Sequence, residues 1–237
     1  MKTKMVMLLI TLTLQFYGGL VMISQAQTTE KAPTKKTINE GIEWTNTWVV
    51  SAEKKDLPKV LVIGDSHVQA YYPVLSDQFK GKAYISKFTT SKSFGDPLYV
   101  EQLEWFLKSY SFDVISINNG LHGKAFTLHQ YGGDLSKVYS LFKKYQPRAR
   151  IVWVNTTARR IANHTSELDS LNSQVCDRNE VVAKFCTQKQ ISLVDLYTLS
   201  FKNPGFYQND GIHFIPEGVK EEANEVGKQL LTELQKK

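Results

Sequence analysis

Lys59-Val60-Leu61-Val62-Ile63-Gly64-Asp65-Ser66-His67 decides the reading of this 237-residue chain. Val60 to Ile63 is a short unbroken apolar run, the pattern of a strand buried on both faces of a sheet. Gly64 lets the chain turn sharply out of that strand. Ser66 then falls at or near a helix N-terminus, where backbone N–H groups are free. A serine so placed is a candidate nucleophile, provided that a neighbouring base takes its proton and a third group orients the base.

Working outward, the same alternation continues. Val68 to Phe79 reads as the following helix, with Pro73 making its first part irregular. Ala83 to Phe88 reads as a second strand and Leu98 to Tyr110 as a helix with Leu98, Leu103, Phe106 and Leu107 on one stripe. Val114–Ile117 and Ile151–Val154 are further short apolar strands. Leu135–Tyr145 is a helix stopped before Pro147. Asn172–Lys189 is a helix, Ser192–Asp195 a strand and Pro216–Gln235 a terminal helix. Strand and helix in alternation call for an α/β sandwich around a parallel sheet with right-handed crossovers. Ahead of it, Ile42–Val50 carries Trp44 and Trp48, expected to pack this segment onto the core rather than to line a carbohydrate site.

In such sheets ligands bind beyond the carboxyl ends of the strands. Ser66 follows the first strand, Asn118, Asn119 and His122 follow Val114–Ile117, and Thr156 and Thr157 follow Ile151–Val154. Far downstream stands Asp210-Gly211-Ile212-His213. His213 suits the role of base toward Ser66, and Asp210, three residues earlier, can hold the other ring nitrogen. Gly-Asp-Ser and Asp-x-x-His are each common in turns; their order and the shared rim make them a candidate triad. Asp65 reads as a loop brace, and His129 and His164 as loop or surface histidines. Arg159 and Arg160 are available to an anionic substrate, although exposed arginines need no function.

With these residues in view the chain resembles the SGNH, or GDSL-type, hydrolases. Val60 to Ser66 resembles their first block, and Asp210 to His213 with Pro216 and Gly218 their last. Asp113-Val114-Ile115-Ser116-Ile117-Asn118-Asn119-Gly120-Leu121-His122-Gly123 is similar to the third block of a secreted bacterial branch that carries Asn-Asn-Gly-Leu-His. The resemblance covers about residues 42 to 233. It implies a three-layer α/β/α sandwich with a central parallel sheet (SGNH/flavodoxin-like) and ester hydrolysis through an acyl-enzyme. It gives Ser66 as nucleophile, His213 as base and Asp210 as its partner. It also implies an oxyanion hole from the backbone N–H of Ser66, the N–H of Gly95 in Ser93-Phe94-Gly95, and a third-block side chain. The common third block is Gly-x-Asn-Asp. Here His122 aligns with the donor Asn and is preferred, with Asn119 as the alternative. His67 and Asn118 are carried as substrate-binding candidates, although His67 also reads as structural.

Lys2 and Lys4, the apolar stretch Met5–Ile23 and Ser24-Gln25-Ala26 follow the order of a secretory signal. Cleavage after Ala26 is preferred to an uncleaved anchor, because Gln15, Gly18 and Gly19 interrupt the stretch. The domain reading is therefore a signal peptide at 1–26, a polar flexible leader at 27–41 and a hydrolase domain at 42–237. An exported protein, periplasmic or secreted, is expected, without stable membrane insertion after cleavage and as a monomer. The net charge of +6 is interspersed, and no nucleic-acid motif accompanies it. Cys176 and Cys186, the only cysteines, fall in one helical region; a continuous helix sets them about 15 Å apart, too far to pair, so two free, half-buried thiols are expected unless the helix breaks near Asp177. No cofactor or metal is called for.

The expected activity is therefore that of an exported serine esterase removing small acyl groups, acetyl above all, from carbohydrate. A lipase or thioesterase of the same fold, acyl transfer to a sugar, and a catalytically silent glycan-binding module are the alternatives.

Overall fold

The computed structural model describes residues 39–236. The expected signal peptide and most of the expected leader lie outside the described residues. Eight strands appear among the described residues: β1 Thr45–Trp48, β2 Lys59–Gly64, β3 Tyr84–Thr90, β4 Val114–Ile117, β5 Arg150–Val154, β6 Arg160–Ile161, β7 His164–Leu168 and β8 Ser192–Val194. Six helices accompany them: α1 Ser66–Gln78, α2 Pro97–Ser109, α3 Leu128–Tyr145, α4 Asn172–Lys189, α5 Leu196–Lys202 and α6 Pro216–Gln235. The main sheet runs β1-β3-β2-β4-β5-β8. β2, β3, β4, β5 and β8 are parallel.

The unbroken apolar runs have a simple origin. Successive side chains of a strand point to opposite faces. Val60 and Val62 enter one core layer with Val114, Val152 and Val154, packed on Val68, Tyr71 and Leu75 of α1 and Val226 and Leu230 of α6. Leu61 and Ile63 enter the other, with Ile115, Ile117 and Trp153, against α2, α3 and α4. Helices cover both faces, as an α/β/α sandwich requires.

The sheet departs from a purely parallel one at its edge. β1 pairs antiparallel with β3, from Thr45 opposite Thr90 to Trp48 opposite Lys87. Backbone pairing therefore anchors this segment; Trp44 is half-buried, and the expected packing is corrected for Trp48. Trp48 is 62% exposed. Two elements had no signal in periodicity. β6 and β7 form a small antiparallel ribbon, and α5 is a single short helix after Asp195, whose side chain caps it.

Two helix starts differ from the sequence expectation. α3 begins at Leu128 because Thr127 and Gln130 form a reciprocal capping box, which satisfies two orphan donors and carries the helix through Gly132 and Gly133. α1 begins at Ser66 and continues through Pro73.

The five parallel strands are ordered with the first between the second and the third. The connections therefore run in opposite directions from β2 and β4 and leave a crevice at their carboxyl ends. Ser66 follows β2 and Asn118–Gly123 follow β4, so both border this switch point.

Candidate active site

Ser66 is the first residue of α1, and its position is set locally. Asp65 caps the helix, its Oδ1 accepting the His67 N–H at 3.0 Å. Gly64 is required by close approach, since a Cβ there would run into Val68. Asp65 is fully buried and braces the turn, as its reading supposed.

The downstream turn arrives at the same rim. Asp210 Oδ1 accepts the backbone N–H groups of Ile212 and His213, both at 2.9 Å. Its Oδ2 lies 2.6 Å from His213 Nδ1, and His213 Nε2 lies 2.9 Å from Ser66 Oγ. A carboxylate only accepts, so Nδ1 carries the proton and Nε2 is the lone-pair acceptor facing the serine hydroxyl. Burial works to raise the Asp210 carboxyl. Hydrogen bonds from the His213 ring and the two backbone N–H groups outweigh it and hold the acid below the usual carboxylate range. Gly211 is at φ +72° with its Cα facing the Arg160 carbonyl, a backbone position that glycine alone takes at low cost.

Beside Ser66 and His213 opens a cleft of about 490 Å³ that also meets Ser93, His122, Arg159 and Glu40. Glu40 and Gly41 come from the stretch expected to be leader, so its last residues are part of the site. His122 Nδ1 is 2.9 Å from Glu40 Oε2. With Nδ1 committed to a carboxylate, Nε2 donates a hydrogen bond only when the ring is protonated.

The other proposed site residues lie elsewhere, and each displacement has a reason. The Asn118 carboxamide is buried and donates to the Val154 and Asn155 carbonyls, both at 3.0 Å; it ties β4 to β5 and does not line the cleft. Asn119 donates to the Lys92 carbonyl at 2.9 Å and accepts from the Phe94 N–H at 3.3 Å. Its amide is spent on the loop after β3, so it is corrected as an oxyanion donor. Gly95 sits behind Ser91, Lys92 and Ser93, which line the cleft, and its Cα faces Phe126. His67 is buried, with Nδ1 2.7 Å from Glu222 Oε1 and Nε2 3.4 Å from Thr157 Oγ1. It packs under His213, ring centroids 6.1 Å apart, and does not line the cleft. Arg160 is buried against the Ser200 and Phe201 carbonyls.

Two supports were missed. Buried Arg178 donates to the carbonyls of Gly120, His122 and Gly123 at 2.7–2.8 Å and fixes the loop after β4. Glu222 holds His67. Each had a faint signal: Arg178 interrupts the apolar stripe Val175, Val182, Phe185, and Glu222 the stripe Val226, Leu230. A charge on a buried stripe needs a partner. Among the described residues no cluster suited to a metal ion occurs.

No protein-family model matches the chain, and no curated protein sequence does. Solved structures match its fold. One is an acetyl xylan esterase, 15% identical, covering 73% of this chain and 99% of that one, at a TM-score of 0.58. Another is a GDSL-like lipase from Bacteroides thetaiotaomicron, 13% identical, covering 74% and 88%, at 0.57. A third is the lipase/acylhydrolase from Enterococcus faecalis, 14% identical, covering 73% and 95%, at 0.57. At these identities the likeness is one of fold, and the chain is an α/β/α protein built on the fold of the GDSL-type acylhydrolases.

Proposed function

We propose that this protein is a serine esterase that hydrolyses small acyl esters, acetyl first among them, on carbohydrate. The observation that carries the reading is the continuous hydrogen-bonded line from Ser66 Oγ through His213 to Asp210 at the switch point of the sheet. Ser66 Oγ attacks the ester carbonyl carbon while His213 Nε2 takes its proton. The negative oxygen of the tetrahedral intermediate is met by the Ser66 N–H at the start of α1 and by the His122 ring. Collapse expels the alcohol, which takes the proton back from His213. Water, deprotonated by the same ring, then releases the acid. Asp210 stays ionised and keeps the imidazole in its working tautomer.

Ser93, His122 and Arg159 bring polar groups to the cleft beside the apolar side chains of Leu121, Ala125 and Ile212, a mixed wall that offers a polar alcohol and a small acyl group a place each. The fold likeness to an acetyl xylan esterase supports the same class. Export follows from the signal-like residues 1–26. Replacing Ser66 by Ala is expected to abolish hydrolysis of p-nitrophenyl acetate at unchanged melting temperature; retention of wild-type activity would remove the esterase reading.

A further inference from the structure

Glu40 is the single acidic side chain among the described residues lining the cleft, where Lys92, Lys124 and Arg159 also stand. Its carboxylate is held from two sides, by His122 Nδ1 at 2.9 Å and the Gly123 N–H at 3.4 Å. These donors are presented deliberately. Arg178 draws the carbonyls of Gly120, His122 and Gly123 into the interior, so the loop turns donors rather than acceptors toward the cleft. Ser93 lies against the Gly123 Cα, and its buried hydroxyl has no hydrogen-bond partner.

The charges are unequally answered. Lys92 is paired with Glu43 at 3.0 Å and Asp96 at 3.5 Å. Arg159 Nε lies 3.5 Å from Asp169 Oδ1 and makes no hydrogen bond. Its terminal amino groups make no hydrogen bond among the described residues. The cleft therefore holds a carboxylate already, supplied by the chain itself, with a guanidinium fork and an orphan hydroxyl to spare. Glu40 is half-exposed and comes from the segment ahead of β1, so it can leave without disturbing the sheet.

We propose that His122, Gly123 and Ser93, with Arg159 as the cation, form a carboxylate subsite for the substrate, which Glu40 fills until an acidic ester displaces it. The proposal rests on the esterase reading and narrows it: the preferred ester carries a carboxylate close to the scissile bond. A substrate carboxylate on His122 Nδ1 replaces the Glu40 carboxylate like for like.

Matched pairs test it. The acetylated methyl glycoside of glucuronic acid, its C6 carboxylate free, against the acetylated methyl glucoside places the charge on the alcohol side. p-Nitrophenyl hydrogen succinate against p-nitrophenyl butyrate places it on the acyl side. The acidic member of one pair is expected to show about tenfold higher kcat/KM, mainly through KM, the size of one charge-assisted contact. Glu40→Ala should raise that acid-to-neutral ratio and Arg159→Gln lower it, with Arg159→Lys restoring part. Ratios within twofold of one in both pairs, or a ratio that neither variant moves, would overturn the proposal while leaving the esterase reading intact. Calorimetric titration of the Ser66→Ala protein with the methyl glycoside of glucuronic acid, methyl glucoside, succinate and butyramide reads the subsite without turnover. Binding of an acid over its neutral counterpart upholds the subsite even where no ester is cleaved; no such preference sinks it even where esters are.

Discussion

At the scale of single residues the contrast between Asn119 and His122 is decisive. Both follow β4, and the sequence alone leaves either free to donate to an oxyanion. The Asn119 amide is instead buried between Lys92 and Phe94. Its replacement by Ala strands a buried carbonyl and a buried N–H, at about 1–3 kcal/mol each. Asn119→Ala is thus expected to lose mainly melting temperature. His122 lines the cleft, and His122→Ala should keep its melting temperature but lose roughly 10²–10³ in kcat, the usual effect of one oxyanion donor. A turnover loss of that size confined to Asn119→Ala, at unchanged stability, would sink the assignment. The neighbours that sort the two come from the loop after β3, some 25 residues away. No local pattern in Asn118–His122 encodes that choice.

At the scale of elements, α4 shows what periodicity can and cannot say. Its span, Asn172–Lys189, is the one its sequence predicts, and it is continuous. Cys176 is exposed and Cys186 buried, both as free thiols. Burial pushes the Cys186 thiol up to about 12, far from the thiolate form that reacts. Iodoacetamide at pH 8 should therefore label Cys176 alone in the native protein and both in urea, and a reductant should leave the melting temperature unchanged. Rapid labelling of both thiols without denaturant would contradict the buried placement. The helix's Arg178 was legible only as an anomaly on an apolar stripe. Its purpose, three carbonyls of the loop after β4, lies about 55 residues upstream. Strand β1 was less legible still. Thr45–Trp48 is exposed along its length, so it carries no alternation of buried and exposed residues to read.

At the scale of the whole molecule, the first and last helices of the sandwich are joined by a buried pair. His67 of α1 lies 2.7 Å from Glu222 of α6. Burial alone would lower the His67 pKa, but attraction and hydrogen bonding to Glu222, helped by Asp65, prevail and raise it to about 9. Since the folded value lies above the ordinary 6.5, the native state holds the proton more tightly than the unfolded chain. The stabilisation is fully present below about pH 6.5 and is lost as pH rises through about 9. Melting temperature should accordingly fall across that window in the wild type. Glu222→Gln should flatten the slope, and removing the acid outright, as Ala, should cost about 3–5 kcal/mol at pH 6, as breaking a buried pair does. An identical pH slope in the wild type and Glu222→Gln would show that the pair contributes nothing. Because His67 packs under His213, this link also bears on the position of the base. What the sequence by itself determined is the alternation of β2, β4 and β5 with their helices, the place of Ser66 at a strand end, and the Asp210-to-His213 turn. Apolar periodicity and capping act between residues a few positions apart, and so survive in one dimension. What only the tertiary structure decided is which polar side chains face the cleft, the pairing of β1, and the arrival of Glu40 beside His122. A buried polar group turns toward whichever remote segment satisfies its hydrogen bonds, and that segment becomes its neighbour only when the chain has folded.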